Sequence, residues 1–272
     1  MPLRTREAVV AGQFYPASAQ KLRAQIGSFV DKNTPKSPTL ACILPHAGYI
    51  YSGRVAAETV SRIELKEKII LLGPNHTGEG EPFSIMTEGA WQTPLGDIRV
   101  DALLANKILN NSRNLAQDSL AHINEHSLEV ELPILQYFKS DFTIVPIAFL
   151  SDDLMRLKAI GREIAGAVKD EFSANSMMLL ASSDMTHYEP EKIAREKDGL
   201  AISAILELDE DKLMEVIRKI GITMCGYAPV IVMLSAAKAL GAKKAQLVKY
   251  QTSAEETKDT ASVVGYAGII IN

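Results

Sequence analysis

The stretch KIILLGPNH (residues 68–76) runs through apolar residues, halts at Gly73 and Pro74, and then delivers a histidine. A short unbroken apolar run bounded by turn residues fits a strand covered on both faces, as in parallel sheets, although a buried helical segment reads alike. The Gly-Pro break forces a tight non-helical turn, so His76 belongs just past the strand end. The arrangement recurs. TLACILP (39–45) leads into His46, and SMMLLAS (176–182) leads into Asp184 and then His187. FTIVPIAF (142–149) and ASVVGYAGIII (261–271) are further apolar runs.

Between these runs lie stretches with helical spacing. Residues 18–31 begin at a Ser cap and place Leu22, Ile26, Phe29 and Val30 on one face. Residues 52–63, 101–110, 125–138, 152–170, 190–208 and 210–220 read similarly, and 228–240 has the length of a core helix. Strand-then-helix alternation predicts an α/β fold with a mostly parallel or mixed sheet. The polar stretches 31–38 and 252–260 read as loops too short to link domains, and 78–83 as a turn-rich excursion. One domain spanning 1–272 is therefore expected.

Bulk properties narrow the function. The formal net charge of −4 argues against a nucleic-acid partner, which needs a Lys/Arg excess on one face. Two cysteines, Cys42 and Cys225, give no disulfide framework and suit a reducing cytoplasm. No apolar stretch reaches the ~18 residues of a membrane span, and residues 1–8 lack the apolar centre of a signal peptide. There is no G-x-G-x-x-G, phosphate loop, G-x-S-x-G elbow or CxxC.

In open α/β sheets, ligands bind beyond the carboxyl ends of the strands. An isolated loop histidine more often just bonds a nearby carbonyl. Two at equivalent strand ends, His46 and His76, point instead to a shared site, because paired neutral imidazoles commonly begin a transition-metal centre. Asp184, three residues before His187, reads as the orienter of a general-base ring, as a further metal ligand together with it, or as a helix cap beside a surface histidine. HINEH (122–126) matches the H-x-x-E-H pattern of one metallopeptidase class, which would put metal on His122 and His126. The segment before it is a poor helix, so Glu125 and His126 are assigned to the pocket wall or to supporting contacts. Cys225 lies in an irregular turn near Gly226 and Pro229, either an accessible thiolate or a buried apolar thiol. Cys42 sits mid-strand and reads as inert. Tyr49 and Tyr51 follow His46 and are expected to line the pocket. Arg54 would meet an anionic group or simply be a surface charge.

Seven ordered blocks resemble the Memo family (mediator of ErbB2-driven cell motility): QFYPA (13–17), PHAGYIYSG (45–53), LGPNH (72–76), WQTPLG (91–96), EHSLEVELP (125–133), SSDMTHY (182–188) and CGYAP (225–229). That family resembles in turn the catalytic subunits of class III extradiol dioxygenases, which share a LigB-like fold: three α/β/α layers around a mixed, mostly parallel sheet. Those enzymes hold Fe(II) with two His and one Glu. The resemblance places His46 and His76 at the imidazole ligands, Cys225 at the carboxylate, and His187, with Asp184 beside it, at the acid/base histidine. A thiolate in place of a carboxylate favours softer ions, so the resemblance implies one transition-metal ion, Fe(II) first, with Cu or Zn as alternatives. It implies metal-dependent redox chemistry on an unknown small molecule or peptide. The alternative is a non-catalytic module that binds metal or a (phospho)peptide. Radical-SAM and AMMECR-type proteins are the partners it suggests.

Overall fold

A computed structural model describes residues 5–30, 34–173 and 176–272. Residues 1–4, within the 1–8 stretch read above, and 31–33 of the 31–38 loop lie outside the described residues. In chain order the elements begin β1 (Thr5–Arg6), α1 (Ala19–Ser28), β2 (Ala41–Leu44), α2 (Gly53–Ser61), β3 (Lys68–Pro74), β4 (Phe83–Ile85), β5 (Ala90–Trp91), β6 (Ile98–Arg99) and α3 (Ala102–Asn111). The middle holds β7 (Ala116–Gln117), α4 (Leu120–Ile123), α5 (Ser127–Phe138), β8 (Thr143–Phe149), α6 (Leu154–Ser173) and β9 (Met177–Ser182). The chain then runs through β10 (His187–Glu189), α7 (Glu191–Leu206), α8 (Glu210–Ile220), α9 (Tyr227–Ala239), β11 (Ala245–Thr252), α10 (Ala254–Thr257) and β12 (Val263–Ile271).

Strands β2, β9, β3 and β8 lie side by side and all parallel at the centre of the main sheet. Their residues are almost all buried, as unbroken apolar runs require. Antiparallel β12 flanks β2, and antiparallel β4 flanks β8, so the sheet is mixed. Helices α6 and α9 pack on each other and on the sheet, as do α2 and α5, which gives three layers. One apolar cluster runs through strands and helices alike.

Two parts of the sequence reading differ from the structure. The 252–260 loop contains the single turn α10, and strand β11, like the short strands β1, β4 to β7 and β10, has no counterpart in the apolar runs. β11 pairs along β12 and is mostly half-buried, so its sequence AQLVKYQT mixes polar with apolar residues and carries no continuous signal. No helix among the described residues is long and apolar enough to cross a membrane.

The topology positions the site. Because β2, β9 and β3 are parallel neighbours, the residues after Leu44, Ser182 and Pro74 emerge on one edge of the sheet. Residue Val264 of β12 pairs with His187 at the same edge.

Candidate metal centre

His46, His76 and His126 meet beyond this edge. One ligating atom from each lies within 4.8 Å of the others. The ring centroids are 5.2 Å apart for His46 and His76, 5.6 Å for His46 and His126, and 4.8 Å for His76 and His126. His126, expected in the pocket wall or as a supporting group, does line the cavity and is the third imidazole. It sits at the N-terminal cap of α5 and packs edge-on against Phe14. Cys225 is not a member of the trio, but its Sγ lies 3.3 Å from His46 Nε2.

Two of the three rings are held from behind by hydrogen bonds. His46 Nδ1 is 2.8 Å from Ser182 Oγ, whose one hydroxyl hydrogen has two acceptors in reach, Glu131 Oε1 at 2.6 Å and the Ser127 carbonyl at 3.1 Å. The His46 N–H donates to Asp184 Oδ1 at 2.8 Å. Glu125 Oε2 accepts the His76 N–H, and Oε1 lies 2.9 Å from His76 Nδ1 and accepts the Ser127 N–H at 2.8 Å. A carboxylate behind an imidazole fixes its orientation and raises its basicity.

The electrostatics follow from this packing. Burial, then the neighbouring His76 and His126, hold His46 well below the ordinary histidine value. Burial also lowers His126, against the pull of Glu125. For His76 burial acts downward too, but hydrogen bonding and charge from Glu125 raise it on balance. Burial would raise the Glu125 carboxyl, yet the hydrogen bonds and charge of His76 bring it down to about 2. Burial and then the Asp184 charge push the Cys225 thiol up, and its side chain is half-buried and lines the cavity. Asp184 itself is raised to about 6, chiefly by burial.

The trio forms one end of a cavity of about 600 Å³. Its wall is aromatic and apolar, with Phe14, Ile50, Tyr51, Tyr188, Val264 and Tyr266, and it also includes Asp184, His187 and Cys225. None of the lining residues is Lys or Arg.

Residues 6–270 match the family model described as Memo-like protein. The chain belongs to this family. A MEMO1 family protein of Aquifex aeolicus is 42% identical, covering 98% of this chain and 99% of the relative. One from Methanopyrus kandleri is 38% identical over 97% and 98% of the two chains. The crystal structure of an uncharacterized protein from Escherichia coli K12 superposes with a TM-score of 0.57, covering 85% of this chain and 99% of that one. At 14% identity that likeness speaks for the fold alone.

Several sequence assignments change in this Memo-like chain. Tyr49 does not line the cavity: it is buried, and its hydroxyl donates to the Val130 carbonyl at 2.7 Å. No hydrogen bond from Asp184 orients the His187 ring; Asp184 Oδ1 accepts the His46 N–H. The ring is oriented instead by the Thr223 carbonyl, 2.9 Å from His187 Nδ1. His122 and His126 do not share a helix face, since α4 ends at Ile123 and α5 starts at Ser127. His122 is fully buried against Ser84 and Trp91, away from the trio. Arg54 lies outside the cavity lining, over the Phe29 ring and near Glu58. Cys42 is buried mid-strand, as read.

Ser182, Thr223 and Glu131 escaped the sequence reading. The signal for Glu131 was present: EHSLEVELP puts Glu129 and Glu131 into the mostly apolar α5 and Glu125 just before it, and all three are fully buried.

Proposed function

We propose that this Memo-like protein is a metal-dependent oxidoreductase. The ion is held by His46, His76 and Cys225, with His126 as a further imidazole donor. The observation that carries this reading is the convergence of three imidazoles and a thiol at the carboxyl edge of a parallel sheet. The donor set fits. Ligands on one tetrahedral ion with metal–N of ~2.0 Å and metal–S of ~2.3 Å stand about 3.5 Å apart, and Sγ of Cys225 lies 3.3 Å from His46 Nε2. Imidazoles with a thiolate suit Fe, Cu or Zn, and such an ion supplies one-electron or Lewis-acid chemistry to a bound substrate.

The chain's own residues do the rest. Ser182 and Glu125 orient the His46 and His76 rings. His187, its Nδ1 turned to the Thr223 carbonyl, lines the cavity and is placed to accept or donate a proton. The aromatic wall excludes water and favours an apolar or planar substrate. Without Lys or Arg in that wall, nothing in the cavity favours phosphate recognition.

The test is anaerobic reconstitution with Fe(II), Cu(I) and Zn(II), with metal counted per chain. The wild type is expected to hold about one ion, and His46→Ala, His76→Ala and Cys225→Ser to lose it. His122→Ala is expected to keep it. Loss only in His122→Ala would overturn the assignment. Oxygen consumption or substrate oxidation that vanishes in His187→Gln while metal content stays would support the oxidoreductase reading; metal binding with no redox turnover on any substrate class would leave a binding module.

A further inference from the structure

Behind His46 stands a carboxyl group that the metal centre, as described so far, does not use. Glu131 lies on α5 and is fully buried. Its Oε1 accepts the Ser182 hydroxyl at 2.6 Å, while its Oε2 has no hydrogen-bond partner. Burying a carboxyl with one oxygen unpartnered is costly, and a leucine or glutamine would fill the space more cheaply. The group therefore asks for a role.

The hydrogen-bond order supplies one. Ser182 has a single hydroxyl hydrogen, and two buried acceptors compete for it, Glu131 Oε1 and the Ser127 carbonyl. Toward His46 the serine thus presents a lone pair, and the ring answers with its Nδ1 hydrogen across 2.8 Å. That tautomer leaves Nε2 as the free lone pair, on the side of Cys225.

We propose that Glu131, acting through Ser182, is a positioning residue for His46: it fixes the tautomer that can bind a cation at Nε2, and it is the carboxylate that balances the cation's charge from the buried side. This rests on the metal-centre reading above. The groups facing Glu131 agree with such a role. Asp184, Cys42 and Tyr49 lie around it, and none is a cation. Burial, followed by the Asp184 charge, raises its pKa well above the carboxylate range in the metal-free protein. A bound cation would supply positive charge that none of these three neighbours provides. A carboxylate–hydroxyl–imidazole chain is a longer version of the carboxylate–imidazole support that tunes ligand basicity in metal proteins.

Glu131→Gln is the decisive variant. It keeps the shape and an oxygen for Ser182 to donate to, and removes only the ability to ionise. Zn(II) and Co(II) affinities of the wild type, Glu131→Gln and Ser182→Ala are measured by competition with a chelator. The same three proteins, metal-free, are examined by 15N-resolved NMR of the imidazole rings. The expected result is a roughly 10-fold weaker affinity in Glu131→Gln and 10- to 100-fold in Ser182→Ala. Thermal stability of metal-free Glu131→Gln is expected to hold or rise, which a purely structural role would not produce. The NMR spectrum is expected to show the Nδ1–H tautomer for His46 in the wild type and a tautomer mixture in Ser182→Ala. Wild-type affinity in Glu131→Gln, or an Nε2–H tautomer in the wild type, would overturn the proposal and leave the metal centre standing. A wild type that binds no ion would overturn both.

Discussion

Glu125 grips His76 at two points, taking its backbone N–H on one carboxylate oxygen and its ring Nδ1 on the other. The same carboxylate also accepts the Ser127 N–H, so it ties the loop after β3 to the start of α5. A fully buried carboxylate with three donors is a brace for the ring and for the loop that carries it.

Replacing it tests that brace. Glu125→Gln retains the shape but turns an amide N–H toward groups that are themselves donors. An unfolding free energy lower by about 2–4 kcal/mol is expected, seen as a Tm lower by roughly 5–15 °C at 2–4 °C per kcal/mol. Affinity for Zn(II) should fall ~10- to 100-fold, as when supporting groups of ligating histidines are removed. Denaturation and chelator competition measure both; a Tm and affinity equal to wild type would show that the grip is incidental.

Much of this arrangement was readable in the sequence, and the failures have physical causes. The runs ending at Pro45, Pro74 and Ser182 announced parallel strands because burial on both faces erases any alternation. Their histidines followed, since the chain must turn where a strand stops. Tyr49 was misjudged because on an irregular or helical segment facing depends on a rotation of ~100° per residue, and a short motif does not fix its phase. Tyr49 turned inward to Val130, and His126 turned toward the cavity. Contacts such as Ser182 with Glu131, 51 residues apart, depend on packing that no local pattern encodes.

Gly226 explains how Cys225 reaches His46. A Cβ built on Gly226 would lie 2.3 Å from the Ser182 carbonyl oxygen and 2.5 Å from Ser183 Cβ. The turn is therefore pressed against the end of β9, and that closeness carries the thiol to Asp184 and His46. Gly226→Ala must push the turn away. It is expected to cost about 1–3 kcal/mol as an overpacked site and to free Cys225 from its buried contact. Faster labelling of Cys225 by a maleimide, measured in a Cys42→Ala background, together with a lower Tm, would bear this out. Unchanged labelling and stability would contradict it.

His122 gives a pH prediction away from the metal centre. Burial, reinforced by Arg6 and opposed by Asp118 and Glu125, lowers its pKa to about 4. An unfolded histidine takes up its proton near 6.5. Between those values the unfolded chain binds more protons than the folded one, so stability declines as pH falls from about 6.5 toward 4 and is unaffected above that window. The full penalty is on the order of 3 kcal/mol. His122→Gln cannot titrate and keeps a polar group for Ser84. Its Tm should fall less steeply than that of the wild type between pH 6.5 and 4. Parallel curves would rule His122 out as a source of acid sensitivity.

Arg6 joins the N-terminal strand to the site through buried contacts. Its guanidinium donates to Glu129 Oε2 at 2.5 Å, to the Glu125 carbonyl at 2.5 Å and to the His122 carbonyl at 2.8 Å, and it stacks 4.3 Å over Trp91. Glu129 in turn accepts from the Val9 and Val10 N–H groups and the Tyr15 hydroxyl. Removing one member of such a pair leaves a buried charge without its counter-ion and costs about 3–5 kcal/mol. Arg6→Met strands Glu129, although three other donors remain to it; Glu129→Gln strands Arg6, although the carbonyls of Glu7, His122 and Glu125 remain. Each single variant should therefore lose stability near the lower end of that range. The double variant strands neither charge, so its loss should fall short of the sum of the singles by about 1–3 kcal/mol. Because Arg6 also holds the Glu125 carbonyl, Arg6→Met should loosen the grip on His76 and weaken Zn(II) binding, whereas a purely additive cycle with unchanged affinity would reduce this network to independent contacts.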